Sequence, residues 1–182
     1  MQKIVLTFGL IAGALLSVMM LATLPFLDRI GFDRGAVIGY TTMVIAFLMV
    51  FFGVRSYRDN VAGGSVSFGR AFKVGLLITL VASVCYVATW QVVYYRITPD
   101  FLDKYAAYAV EKTRKSGATE AQVTAQVKEM DEFKELYKNP LVNIALTLLE
   151  PLPVGLVFTL VTAGVLSRKR PVADAELAQE RS

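Results

Sequence analysis

Three stretches, Ile4 to Leu27, Val37 to Val54 and Val74 to Tyr95, contain no charged side chain at all, and a fourth, Leu141 to Ser167, contains one. A helix needs about 20 apolar residues to cross a hydrocarbon core of about 30 Å. Inside that core there is no water to bond free amides and carbonyls, so a crossing segment must satisfy its backbone internally, as a helix does. A soluble core built from 182 residues could not hide four such runs. Composition agrees, with 55% hydrophobic residues and a mean hydropathy of +0.52, against about 45 to 50% apolar residues in soluble domains on a count that includes glycine. The expected fold is an all-α membrane protein, four transmembrane helices with an extramembrane helical hairpin between the third and the fourth. Residues 1–170 make the transmembrane domain, 96–139 the hairpin cap inserted in it, and 171–182 a disordered polar tail.

The spans carry a pattern of their own. Ile4 to Leu27 is longer than the roughly 7 to 15 residues of a signal-peptide core and shows no convincing small-x-small cleavage site before Pro25, so it reads as a retained first span. Within it Gly9, Gly13 and Ser17 recur every four residues, as do Gly35 and Gly39 in the second span and Gly75, Thr79 and Ser83 in the third. Small residues at that spacing let helices approach closely, within one chain or between two copies. Asp28, Arg29, Asp33 and Arg34, with Gly31 and Gly35, form a short neutral turn between the first two spans. Tyr40, Trp90, Tyr94 and Tyr95 sit near span ends, where amphipathic aromatics gather at the membrane interface.

Between the second and third spans lies GVRSYRDNVAGGSVSFGRAFKVG, from Gly53 to Gly75, with Arg55, Arg58, Arg70 and Lys73 against the single acid Asp59. Basic residues in a short loop near span ends favour the cytoplasmic side. Gly63-Gly64-Ser65 has turn chemistry, Ser65 or Ser67 is suited to cap the next helix, and Phe68 and Phe72 fall on one face four residues apart. The plain reading is a solvated, orienting hairpin. The sharper one is an anion or lipid-headgroup contact made by Arg55, Arg58, Arg70 and Lys73 with a helix N-terminus.

The run GVRSYRDN, the Gly-Gly-Ser turn, SFGRAFKVG and the later PLPVGL followed by an apolar run and a basic end resemble the bacterial family called domain of unknown function 4199. The resemblance covers roughly Lys3 to Arg170. It implies four transmembrane helices and a place in the bacterial cytoplasmic (inner) membrane, and it brings no activity, cofactor or site residue.

Arg96 to Asn139 is the one sizeable polar region. Thr98-Pro99-Asp100 reads as a helix start, Ser116-Gly117 as a break, and Thr119 with Gln122 as a capping box for a second helix. Phe101, Leu102, Tyr105, Tyr108 and Ala109 form one apolar stripe, and Val123, Val127, Met130, Phe133 and Tyr137 another. Eight basic residues stand against eight acids, which speaks against a polybasic lipid binder, where about four to eight basic residues cluster on one side. Asn139-Pro140 opens the fourth span and Arg168, Lys169 and Arg170 close it. With Lys3, the central loop and the C-terminus basic, both termini are expected in the cytoplasm and the cap in the periplasm.

Chemistry is sparse. The net charge of +4 gathers at span ends and makes no nucleic-acid footprint. Cys85, the single cysteine, reads as a small buried hydrophobe. There is no histidine, which removes the usual general base and commonest metal ligand. The protein is expected to be no enzyme and to hold no cofactor or metal; catalysis would have to use carboxylates, tyrosine or lysine alone. Glu150 is the one acid inside a span, next to Pro151 and Pro153. Such a residue is a functional candidate whose partner must be found. Counted from Leu141 it lies about 13 Å along the helix at 1.5 Å per residue, whereas a span of about 20 residues ending at Leu166 leaves it one turn below the surface. Arg96 or Lys138 is a candidate partner for a snorkelling acid. The leading functional reading is an accessory or scaffold component acting through protein contacts, with a protein partner or further copies of itself and the lipid bilayer around it. The second is a small transporter or ion-conducting oligomer in which Glu150, Gln91 and Thr147 line a path.

Overall fold

The computed structural model describes residues 1–167 and is helical, with no strand among them. The basic end Arg168 to Arg170 and the expected tail at 171–182 lie outside the described residues. Helix α1 (Gln2–Thr23) continues through a 3-10 turn into the one-turn helix α2 (Leu27–Ile30). Gly31, at φ 80° and ψ 157°, turns the chain into α3 (Phe32–Asn60). That backbone region is essentially open to glycine alone. After Gly63 and Gly64, both at positive φ, α4 runs over Phe68–Val92 and leaves through a π turn at Val93–Ile97. Next come α5 (Phe101–Lys115), α6 (Glu120–Tyr137), α7 (Pro140–Leu148) and α8 (Pro151–Leu166).

Four helical stretches are long and apolar enough to cross a membrane: Gln2–Ile30, Phe32–Asn60, Phe68–Ile97 and Pro140–Leu166. Helices α3 and α4 form the central pair, α1 packs on both from one side, and α8 packs on both from the other. Phe47, Val50, Val54, Val74, Ile78 and Ala82 fill the space between them. Many large side chains, such as Leu10, Val18, Ile45, Val84 and Val161, point outward, as they can when the surrounding solvent is itself hydrocarbon.

In that setting apolar burial does not drive helices together, and close packing and hydrogen bonds must. The small-residue stripes supply both, inside the chain. A Cβ on Gly9 would sit 2.7 Å from Val81 Cβ, and one on Gly13 2.6 Å from Cys85 Cβ, so α1 and α4 touch backbone to side-chain base. Ser17 extends the same seam by accepting a 2.7 Å hydrogen bond from Thr89. On the opposite face of α4, Gly75 faces Thr159, and Thr79 lies 3.2 Å from the Thr159 hydroxyl and 3.4 Å from the Gly155 carbonyl. The Gly35–Gly39 stripe is divided: a Cβ on Gly35 would sit 2.6 Å from Leu27 Cδ1, whereas one on Gly39 would meet nothing within 4 Å.

Helices α5 and α6 pack on each other, joined by the Ser116-Gly117 turn. The Thr119–Gln122 capping box forms as expected. So does the next cap, where Asn139 Oδ1 accepts from the Leu141 amide 3.0 Å away with Pro140 at the first helical position. Three local expectations change. Asp100 rather than Thr98 occupies the N-cap of α5, without a side-chain cap bond, because the π turn carries the preceding helix onward and the Thr98 hydroxyl turns back to the Val93 carbonyl at 3.5 Å. Ser67 occupies the N-cap of α4 with extended backbone but makes no side-chain cap bond. The charged turn between the first two spans is largely helical, and its acids reach across to α5, Asp28 to Lys104 at 3.3 Å and Asp33 to Lys112 at 2.7 Å. Phe32 packs beside Phe101, Tyr105 and Tyr108 under those pairs, so α5 is fastened over the α2–α3 junction.

Candidate functional site

The fourth span is broken at its acid. Pro151 and Pro153 lack the amides that would bond the carbonyls of Thr147 and Leu149, and their rings crowd the preceding turn. Helix α7 therefore stops at Leu148 and α8 starts at Pro151, with Glu150 between them and its amide only weakly bonded, 3.4 Å from the Thr147 carbonyl. At 1.5 Å per residue, Glu150 falls about 15 Å of helical rise from Pro140 and about 24 Å from Leu166. Its partner is neither Arg96 nor Lys138. Tyr86 of α4 donates to Glu150 Oε2 at 2.5 Å, while Lys138 bonds Glu135 in the last turn of its own helix. The carboxylate is thus held by α4.

Beside Glu150 the bundle opens. Helix α7 packs against α4 and α6, and between it and the paired α1 and α3 lies a cavity of about 540 Å³. Leu16, Met19 and Met20 of α1 form one wall, Gly39, Tyr40 and Met43 of α3 another, and Tyr86 and Trp90 of α4 a third. Phe101 and Tyr105 of α5 and Phe133 and Tyr137 of α6 close one end. Among the described residues, Glu150 is the sole charged side chain lining it. Glu150 is exposed and lines this half-open cavity. Gly39 helps to create the space, since a Cβ there would meet nothing within 4 Å, whereas one on Gly35 would press on Leu27 Cδ1 at 2.6 Å.

A chain of hydrogen bonds runs behind the cavity. Trp90 Nε1 donates to the Tyr137 hydroxyl at 2.8 Å, Tyr137 lies 3.3 Å from the Thr147 hydroxyl, and Thr147 donates to the Asn143 carbonyl at 2.7 Å. Gln91 Nε2 donates to Asn143 Oδ1, also at 2.8 Å. Burial pushes the Tyr137 hydroxyl above the usual tyrosine range, which keeps it a proton donor. Gln91 and Thr147 thus meet on Asn143 and are committed to it, whereas the Glu150 side chain is bonded to Tyr86. Of the three candidate intramembrane residues, Glu150 alone lines the open space. Tyr86 and Asn143 were not singled out from the sequence. Both were visible as polar groups inside apolar runs, the one signal that could have marked them.

The basic candidates lie in the α3–α4 connection. Arg55 Nε and Arg58 Nε converge on Asp59, at 3.6 and 2.7 Å, and Arg58 is buried. Arg70 and Lys73 are exposed on the first turns of α4. No group of three or more acid, cysteine or histidine side chains among the described residues is arranged to hold a metal ion.

These features define a class: a helical membrane protein with four span-length apolar helices, the last broken at a carboxylate that lines a half-open cavity between the helices. Within that class the chain belongs to the family described as "Protein of unknown function (DUF4199)", which matches residues 7–168. No curated protein and no solved structure matches it.

Proposed function

We propose that the protein is a multi-pass component of a bacterial cytoplasmic membrane that works as a small transporter or ion-conducting assembly, with Glu150 as the exchanging group. The observation that carries this reading is the carboxylate at the α7–α8 break, bonded to Tyr86 and open to the cavity. An acid inside a membrane span is costly and marks ion, proton or substrate paths, and transporters place such groups where a span is interrupted. The accessory or scaffold reading drew on the small-residue seams, the caplike hairpin and the sparse catalytic chemistry. Two of the seams are occupied within the chain, α1 on α4 and α4 on α8, and no longer speak for a partner. In this reading both termini are cytoplasmic, α5 and α6 form an external cap over the cavity, and the Arg55–Lys73 connection faces the cytoplasm.

Two experiments test it. In vesicles holding the purified protein, proton or monovalent-cation flux above that of empty vesicles is expected, and Glu150→Gln is expected to abolish it without loss of assembly. Absence of flux in the wild type, together with a stoichiometric different protein crosslinked to it in its native membrane, would replace this reading with the accessory one. For orientation, Ser116→Cys in a Cys85→Ala background should react with an impermeant thiol reagent from outside the cell. Reaction only after the cytoplasmic side is opened would invert the topology.

A further inference from the structure

We propose that the Glu150 cavity is a binding site for a lipophilic organic cation, a positively charged nitrogen or phosphorus centre carrying a bulky apolar body. The inference deepens the transport reading of the same site by naming what the site holds. Three observations carry it. The space, about 540 Å³, falls within the range of about 300 to 1,000 Å³ typical of small-molecule sites. Its wall is aromatic and apolar, with Tyr40, Tyr86, Trp90, Phe101, Tyr105 and Phe133 among the lining residues. Aromatic faces attract cations through the ring quadrupole, most strongly where water is excluded, and indole is the best of them.

The third observation is the charge. Among the described residues one carboxylate lines the cavity, and no lysine or arginine lines it as a counterion. Glu150 accepts from Tyr86 through Oε2, and a carboxylate has further lone pairs on both oxygens. A cation with an apolar body answers both halves of the site at once: the charge to Glu150 and the rings, the body to Leu16, Met19, Met20 and Met43. Methionine side chains suit a site for apolar bodies of varied shape, being flexible and polarizable. An anion would meet Glu150 with no basic group to offset it.

Trp90 is the only tryptophan in the chain and lies on the cavity wall, so its fluorescence reports directly on occupancy. The full-length protein in detergent micelles would be titrated with tetraphenylphosphonium and, separately, with tetraphenylborate, which has nearly the same shape and the opposite charge. Saturable quenching of Trp90 by the cation is expected, weakened tenfold or more by Glu150→Gln, with only unsaturable partitioning of the anion. Gly39 lines the cavity and a Cβ there would meet nothing within 4 Å, so Gly39→Leu adds bulk on this wall and is expected to weaken cation binding at least tenfold while Glu150 stays intact. Equal or tighter binding of the anion by the wild type overturns the proposal, as does unchanged cation affinity in Gly39→Leu. Each of these two results remains decisive even if Glu150→Gln fails to fold. Cation binding without any flux in vesicles leaves this proposal standing and removes the transport reading; Glu150-dependent proton flux without cation binding does the reverse.

Discussion

Substituting Gly13 by alanine tests whether the α1–α4 seam holds the bundle together. The new Cβ would lie 2.6 Å from Cys85 Cβ, which is fixed to the helix backbone, and 2.8 Å from its sulfur. The sulfur can turn about χ1 but the Cβ is fixed to the backbone, so the two helices must part locally by about an ångström, enough to forfeit a quarter to a half of each affected contact. Overpacking of this kind costs about 1 to 3 kcal/mol. Separation would also stretch the Thr89–Ser17 hydrogen bond one turn along, and bonds of that type between membrane helices average about 0.6 kcal/mol. Against this, alanine in place of glycine within a helix contributes about 1 kcal/mol. The net expectation is a loss of about 0.6 to 2.6 kcal/mol, read from unfolding in mixed detergent micelles containing dodecyl sulfate, followed by circular dichroism. Cys85→Gly removes both offending atoms, so a double-mutant cycle should return a favourable coupling of about the overpacking term. A neutral or stabilising Gly13→Ala, or a cycle that closes to zero, would refute the close approach.

Gly39 gives the opposite expectation from the same residue type: its Cβ direction is empty, so Gly39→Ala should stabilise by about 0.5 to 1 kcal/mol, and a loss in the same unfolding assay would mean that the α3 wall is packed. Gln91→Leu should cost about 1 kcal/mol, because Asn143 is fully buried and its Oδ1 would keep only a 3.5 Å approach from Thr147; an unchanged unfolding midpoint would sink that assignment. The fastening of α5 should weaken in alkali. Hydrogen bonds to Asp100 and Asp28 hold the Lys104 ammonium above the usual lysine range, and Asp33 does the same for Lys112. A lysine raised on folding contributes stability that is fully present below its unfolded value of about 10.4 and is lost as pH rises through the folded one. The thermal midpoint should therefore fall as pH climbs past about 10.4, with a smaller fall in the Lys104→Gln, Lys112→Gln double variant; equal falls in both chains would refute the assignment.

The four apolar runs determined the span-length helices, because a chain that carries no charge for some 20 residues has few ways to satisfy its backbone in hydrocarbon. Local chemistry was equally legible where a cap depends on neighbours in sequence, as at Thr119–Gln122 and Asn139–Pro140. The start of α5 was misplaced by two residues because the preceding helix continued as a π turn, which no composition announces. Small-residue stripes marked close approach without saying to what. Only the packed bundle seated Gly13 on Cys85 and Gly75 on Thr159, and left Gly39 facing empty space. The same holds for Glu150, whose unusual position is plain from sequence while its partner is not. Tyr86 lies 64 positions away, on a helix that packs against α7 and α8 in the folded bundle. Spacing within one helix reports which residues share a face, and the identity of what that face meets is decided by tertiary packing.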